Sequence, residues 1–119
     1  MIIITIEDID FVKESILLNL LLTKLEKDKT IIGQTPIKIV GPYLVMINDT
    51  MERVTKDVSS LNKILRNRGI KIYDPHHLEL YIKISFLCRG YQDSIVLYWE
   101  LVRAELEIRL NKYFANEHN

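Results

Sequence analysis

His76 and His77 stand side by side and, with Glu79, are the first residues of this sequence that could hold a metal or move a proton. Adjacent residues on a helix point about 100° apart and rarely serve one ion, so only His76 and Glu79 would share a helical face. A carboxylate-bridged dimetal bundle needs Glu-x-x-His units projecting from two helices. No Glu-x-x-His occurs in the chain, and no metal is expected. Cys88 is the single thiol, and its place on an expected apolar face reads as structural, because free cysteine is among the most buried residue types.

The four glycines nowhere approach phosphate-loop spacing, and no Ser, His and Asp constellation can be assembled. The arginine-to-histidine spacing that marks HEPN-type ribonucleases is also missing, seven residues separating Arg68 from His76 and eight separating Arg109 from His118. With no catalytic motif, neither enzyme activity nor a cofactor or small-molecule ligand is expected. An enzyme whose site carries no linear motif stands as the third hypothesis.

One charge run departs from the rest. Lys63, Arg66, Arg68 and Lys71 collect where no acidic residue occurs between Val58 and Tyr73. Their plainest role is to face the carbonyl end of a helix. Their sharper one is a phosphate-contacting patch in a winged-helix arrangement, with Ser59 to Arg68 as recognition helix and Ile70 to Ile84 as wing. Sixteen basic residues against sixteen acidic ones give no net charge and no global field, so nucleic acid is not expected as a partner. Glu100, Arg103, Glu105, Glu107 and Arg109 form three- and four-residue pairs on a solvated helix face, beside Tyr98 and Trp99 as core anchors.

The elements that must position these residues follow from periodicity and caps. Thr5 and Asp8 imitate a capping box, and Ile9, Val12, Ile16 and Leu20 continue a helix over about residues 6–27, closed by the polar run from Lys24 to Lys29. Thr35 and Pro36 read as the start of a second helix whose apolar face runs from Ile37 to Leu65, with a kink or restart at Gly41 and Pro42 and a stop at Gly69. Asp74 and Pro75 repeat the cap-plus-proline signal.

From Leu78 to Cys88 the apolar residues alternate as in a strand. Tyr81, Ile84, Cys88, Tyr91, Ile95 and Tyr98 also recur at three and four. The helical spacing, with Asp74 and Pro75 ahead of it, predicts a third helix from Pro75 to about Gly90. A fourth, capped by Asp93, then runs to about Phe114 before a polar tail from about residue 115. The expected fold is therefore all-α: a single domain over residues 1–119 forming an antiparallel bundle of about four helices, helix 2 long or kinked. An α+β fold with a winged-helix-like hairpin at 70–88 is the alternative.

Length fits one domain, and one cysteine cannot form an internal disulfide, which suits a reducing compartment; the expected address is the cytoplasm. The apolar start from Met1 to Ile6 lacks a basic segment and meets Glu7 and Asp8 at once, so it does not read as a signal peptide, and no membrane span is expected. On helix 1, Phe11, Leu18 and Leu22 make a second apolar stripe opposite Ile9, Ile16 and Leu20. That stripe predicts self-association, with Ile2 to Ile4 at its edge. The first functional hypothesis is a cytoplasmic bundle acting through protein–protein interaction, as a homodimer or with another protein, in a regulatory or accessory role. The second is a winged-helix DNA-binding regulator.

Overall fold

The structure, a computed structural model, describes residues 3–116. Helix α1 (Ile6–Gly33) begins with a true capping box: the Thr5 hydroxyl accepts from the Asp8 N–H at 3.0 Å, and the Thr5 N–H donates to the Asp8 carboxylate at 2.9 Å. The run from Lys24 to Lys29 does not end it, because Lys24 and Asp28 pair one turn apart at 2.8 Å and support the helix through this stretch. Helix α2 (Gly41–Asn67) starts later than the sequence suggests. Residues 35–40 are not helical, and Pro42 sits in the first turn, where its missing N–H costs nothing. The kink expected at Gly41 and Pro42 is thus the helix start. Gly69, at φ +70, closes the far end in the left-handed region.

The C-terminal half overturns the four-helix bundle. After α2 come β1 (Ile70–Ile72), β2 (His76–His77), β3 (Tyr81–Cys88) and β4 (Tyr91–Tyr98), then helix α3 (Trp99–Asn116). The fold is α+β, three helices with an antiparallel sheet. β3 is the central strand: β1 and β2 pair in succession with one of its edges, Ile70 opposite Cys88 and His77 opposite Ile82, and β4 pairs along the other. Residues 75–89 are therefore not a helix. Pro75 lies in the link between β1 and β2, Asp93 lies within β4, and the last helix, expected from Asp93, begins at Trp99.

Two causes decide for strand. Ile82, Ile84, Phe86 and Cys88 alternate with Lys83, Ser85 and Leu87, and all four are fully buried, each contributing about 2 kcal/mol of apolar burial. Arg89 and Gly90 both have positive φ, +49 and +89, the conformation of a two-residue turn whose twist matches the strands it joins. Gly90 closes a hairpin where a helix end was expected.

The hairpin does not make a wing beside a short recognition helix. α1 and α2 run antiparallel as one long helical hairpin, since Arg68 at the end of α2 pairs with Glu7 and Asp8 at the start of α1. Residues 59–68 form its last turns, with Leu61 and Leu65 in the core. One apolar cluster joins Val12, Leu17 and Leu21 of α1, Ile47 and Val54 of α2, the inner face of the sheet and Val102 of α3. No helix among the described residues is long and apolar enough to cross a membrane.

Candidate functional site

The most concentrated chemistry lies where the helical hairpin meets the sheet turn. Asp8 is wholly buried, yet it is charged, because four groups converge on it. Arg89 Nη2 lies 2.6 Å from Oδ2, Arg68 Nη1 lies 2.9 Å from Oδ1, Thr5 donates its N–H, and the Cys88 thiol stands 3.7 Å away. Arg89 holds the Asp8 carboxyl far below the usual carboxylate range. Burial pushes the other way and is outweighed, with Thr5 and Arg68 adding to the downward shift. The same contact raises the Arg89 guanidinium, and burial foremost pushes the Cys88 thiol up. Cys88 is a packed, buried thiol whose neutral form its surroundings favour.

The turn geometry explains how Arg89 reaches this position. A non-glycine residue at φ +49 is uncommon. Here the left-handed turn aims the side chain across the sheet end, where its guanidinium also donates to the carbonyls of Ile3 and Arg68. All five donors of a planar fork suit such a junction of carboxylate and carbonyls. The cluster is satisfied on every side; it joins three elements and leaves no position for a reacting molecule.

A second polar network ties α3 to the helical hairpin. Arg109 bridges Glu14 of α1 and Glu105 one turn back on α3, at 2.6 Å to the latter, and its bond lowers the Glu105 carboxyl from the ordinary range. The Tyr113 hydroxyl donates to Asp57, Arg53 donates to the Tyr113 carbonyl at 2.7 Å, and burial is the main cause that raises the Tyr113 phenol. On the other side of α3 an apolar groove of about 620 Å³ runs between Leu20 and Leu21 of α1 and Trp99, Val102, Leu106 and Leu110 of α3, with Lys24, Lys27 and Arg103 at its rim. Trp99 is fixed there by its indole N–H, 2.7 Å from the Leu78 carbonyl, and by the His77 ring at 5.4 Å.

The residues singled out by sequence are separated by this fold. Lys63 and Arg66 are exposed on α2, and Lys71 is exposed on β1 with its Nζ 5.6 Å from the Tyr73 ring centre. Arg68 turns inward to Asp8 and Glu7 and lies over the Phe11 ring at 4.6 Å, so its charge is neutralised within the chain. Arg66 and Lys71 still line one cleft, of about 500 Å³, with Tyr73. Leu18 is only 5% exposed and Phe11 and Leu22 are half-buried against the core, so this stripe of α1 is packed within its own chain. His76 and His77 face opposite sides of β2, opposite Lys83 and Ile82. His118 and Ile2 lie outside the described residues.

Sequence reasoning passed over the surface that the fold leaves open on α3. Its residues are apolar on more than one side, yet Val102 is its sole buried residue among those described, while Leu101 is 46% and Ile108 48% exposed. The signal was present in the three- and four-residue steps Leu101, Ala104, Ile108, Asn111 and Ala115, hidden by the conspicuous charges between them.

These features define a class: a long antiparallel helical hairpin locked by a buried ion cluster to a β-meander, with a C-terminal helix laid across it. The chain belongs to the YhjD family, whose model, described as YhjD protein, matches residues 3–118. Uncharacterized protein YhjD of Bacillus subtilis (strain 168) is 23% identical over 104 residues, which are 87% of this chain and 87% of that one. No solved structure matches the chain.

Proposed function

We propose that the protein acts through protein–protein association in a regulatory or accessory role in the cytoplasm, its first partner being a second copy of itself docked along the outer face of α3. The carrying observation is the exposure of Leu101 and Ile108, two turns apart in line on α3. Large apolar side chains aligned and exposed on one helix mark a docking surface, and α3 buries only Val102 among the described residues.

The choice of a second copy rests on spacing and charge. Leu101, Ala104, Ile108, Asn111 and Ala115 occupy alternating three- and four-residue steps, the seam of a two-stranded helical contact. When two such helices run parallel, Glu107 beside the seam meets Lys112 of the other copy, five residues on, and both are exposed. Asn111, polar in the seam, fixes the register. The fully buried free thiol of Cys88 supports a reducing compartment.

Light scattering on the wild type and on Ile108→Glu tests the reading. The expected result is a dimer that becomes a monomer with an unchanged circular dichroism spectrum, since an exposed residue can be exchanged without touching the core. A wild-type protein that stays monomeric through the micromolar range would overturn it.

A further inference from the structure

The sheet has an outer face that neither the core nor α3 uses. Pairing register puts Lys71 and Tyr73, Tyr81 and Lys83, and Val96 and Tyr98 on that face, since Lys71 is opposite Leu87, Lys83 opposite Val96 and Tyr81 opposite Tyr98. The Tyr73 N–H donates to the Ser85 carbonyl at 3.0 Å, which continues the face one residue past β1. Tyr98 is 59% exposed and Tyr73 38%. The rings of Tyr81 and Tyr98 stand edge to face at 5.8 Å, and Tyr73 lies about 13 Å away along β3, with Lys83 between them.

The charged strand residues in register on this face, Lys71 and Lys83, are both basic although the chain as a whole is neutral. None of the strand residues that the register places with Tyr81 and Lys83 is acidic; the nearest carboxylates lie at the Tyr73 end, Asp74 beside Lys71 in one cleft and Asp93 beside Tyr73 in another. Arg66 adds a second cation at this edge, sharing a cleft with Lys71, Tyr73 and Asp74. A linear reading missed the arrangement because Lys71, Lys83 and the three tyrosines come from three strands.

We propose that this face binds single-stranded nucleic acid, bases stacking on Tyr73, Tyr81 and Tyr98 while Arg66, Lys71 and Lys83 pair with phosphates. Tyrosine rings spaced along a sheet with lysines between them offer stacking surface and counter-charge together, which unpaired bases need. Duplex DNA keeps its bases stacked and offers those rings nothing. A second copy of this chain is a poor occupant, because a two-fold contact would bury Lys83 with no carboxylate to receive it. The proposal is independent of association through α3.

The test is fluorescence anisotropy with labelled uridine and thymidine homopolymers of about twelve nucleotides and a duplex of the same length, at about 50 mM salt. Micromolar binding of one or both single strands is expected, with duplex weaker. Tyr98→Ala should weaken binding at least about fivefold and Tyr98→Phe should restore it. Lys83→Gln should reduce the log–log salt slope by about 0.7. All three substitutions are at exposed positions, and circular dichroism confirms that each variant is folded. The two homopolymers separate RNA from DNA as the source of the ligand. Absence of binding by folded wild type, preference for duplex, an unaffected Tyr98→Ala, or a Tyr98→Ala that loses only self-association each overturns the proposal.

Discussion

Arg89 Nη2 lies 2.6 Å from the Oδ2 of Asp8, a residue 81 positions earlier in the chain, so the β3–β4 turn and the first turn of α1 are one electrostatic unit. The carboxylate is buried and its folded-state pKa is depressed, which fixes the sign of the pH effect. Its contribution is complete above the usual carboxylate pKa of about 4 and is lost as pH falls through the lower folded value. Urea unfolding as a function of pH should show stability falling below about pH 4, and Asp8→Asn should flatten that part of the profile.

At neutral pH, Asp8→Ala removes the carboxylate half of the capping box and two charge-assisted hydrogen bonds at once. A loss on the order of 3 kcal/mol is expected, read from the urea midpoint. Arg89→Lys should also lower the midpoint with an unchanged slope, because a single ammonium cannot reach Asp8 and the carbonyls of Ile3 and Arg68 together.

Gly69 supports the same junction from the other side. Its φ is +70, and an added Cβ would stand 3.1 Å from the Cγ of Arg89. Gly69→Ala should destabilise by about 1–2 kcal/mol, since left-handed backbone and a crowded side chain both oppose it. Thermal unfolding would register this as a drop of several degrees.

Strand order makes its own prediction for hydrogen exchange. Amides of β3, paired on both edges, should exchange most slowly, and within β4 Ile95 should be protected while Val96, whose N–H faces away from β3, exchanges fast. Uniform protection with a helical period through residues 81–98 would restore the bundle.

The sequence carried the first half of this fold and misread the second for a definable reason. Thr5, Asp8 and Gly69 are local signals, each acting within a turn of its own position, and the structure uses them as caps. In the hairpin the long-range term decided. Tyr81, Ile84, Cys88, Tyr91, Ile95 and Tyr98 fall at helical intervals by coincidence, while the burial that counts is the alternation of Ile82, Ile84, Phe86 and Cys88 against the helices. The turn between the strands is Arg-Gly rather than Asn-Gly or Asp-Gly, so the strongest hairpin signal was missing. What stabilises Arg89 in that turn is Asp8, a partner that no window of local sequence contains. The basic run likewise came apart because Arg68 had a buried use that spacing could not reveal.

Self-association through α3 is tested most directly by a cross-link placed in its seam. In a parallel two-fold contact Ile108 faces Ile108 of the other copy, within the reach of a disulfide, whereas Arg103 lies away from the seam. The native thiol is fully buried and will not interfere. Under mild oxidation Ile108→Cys should run on non-reducing gels at twice the mass of one chain, and Arg103→Cys should remain at the mass of one. Equal cross-linking of the two variants, or none by Ile108→Cys, would contradict the account.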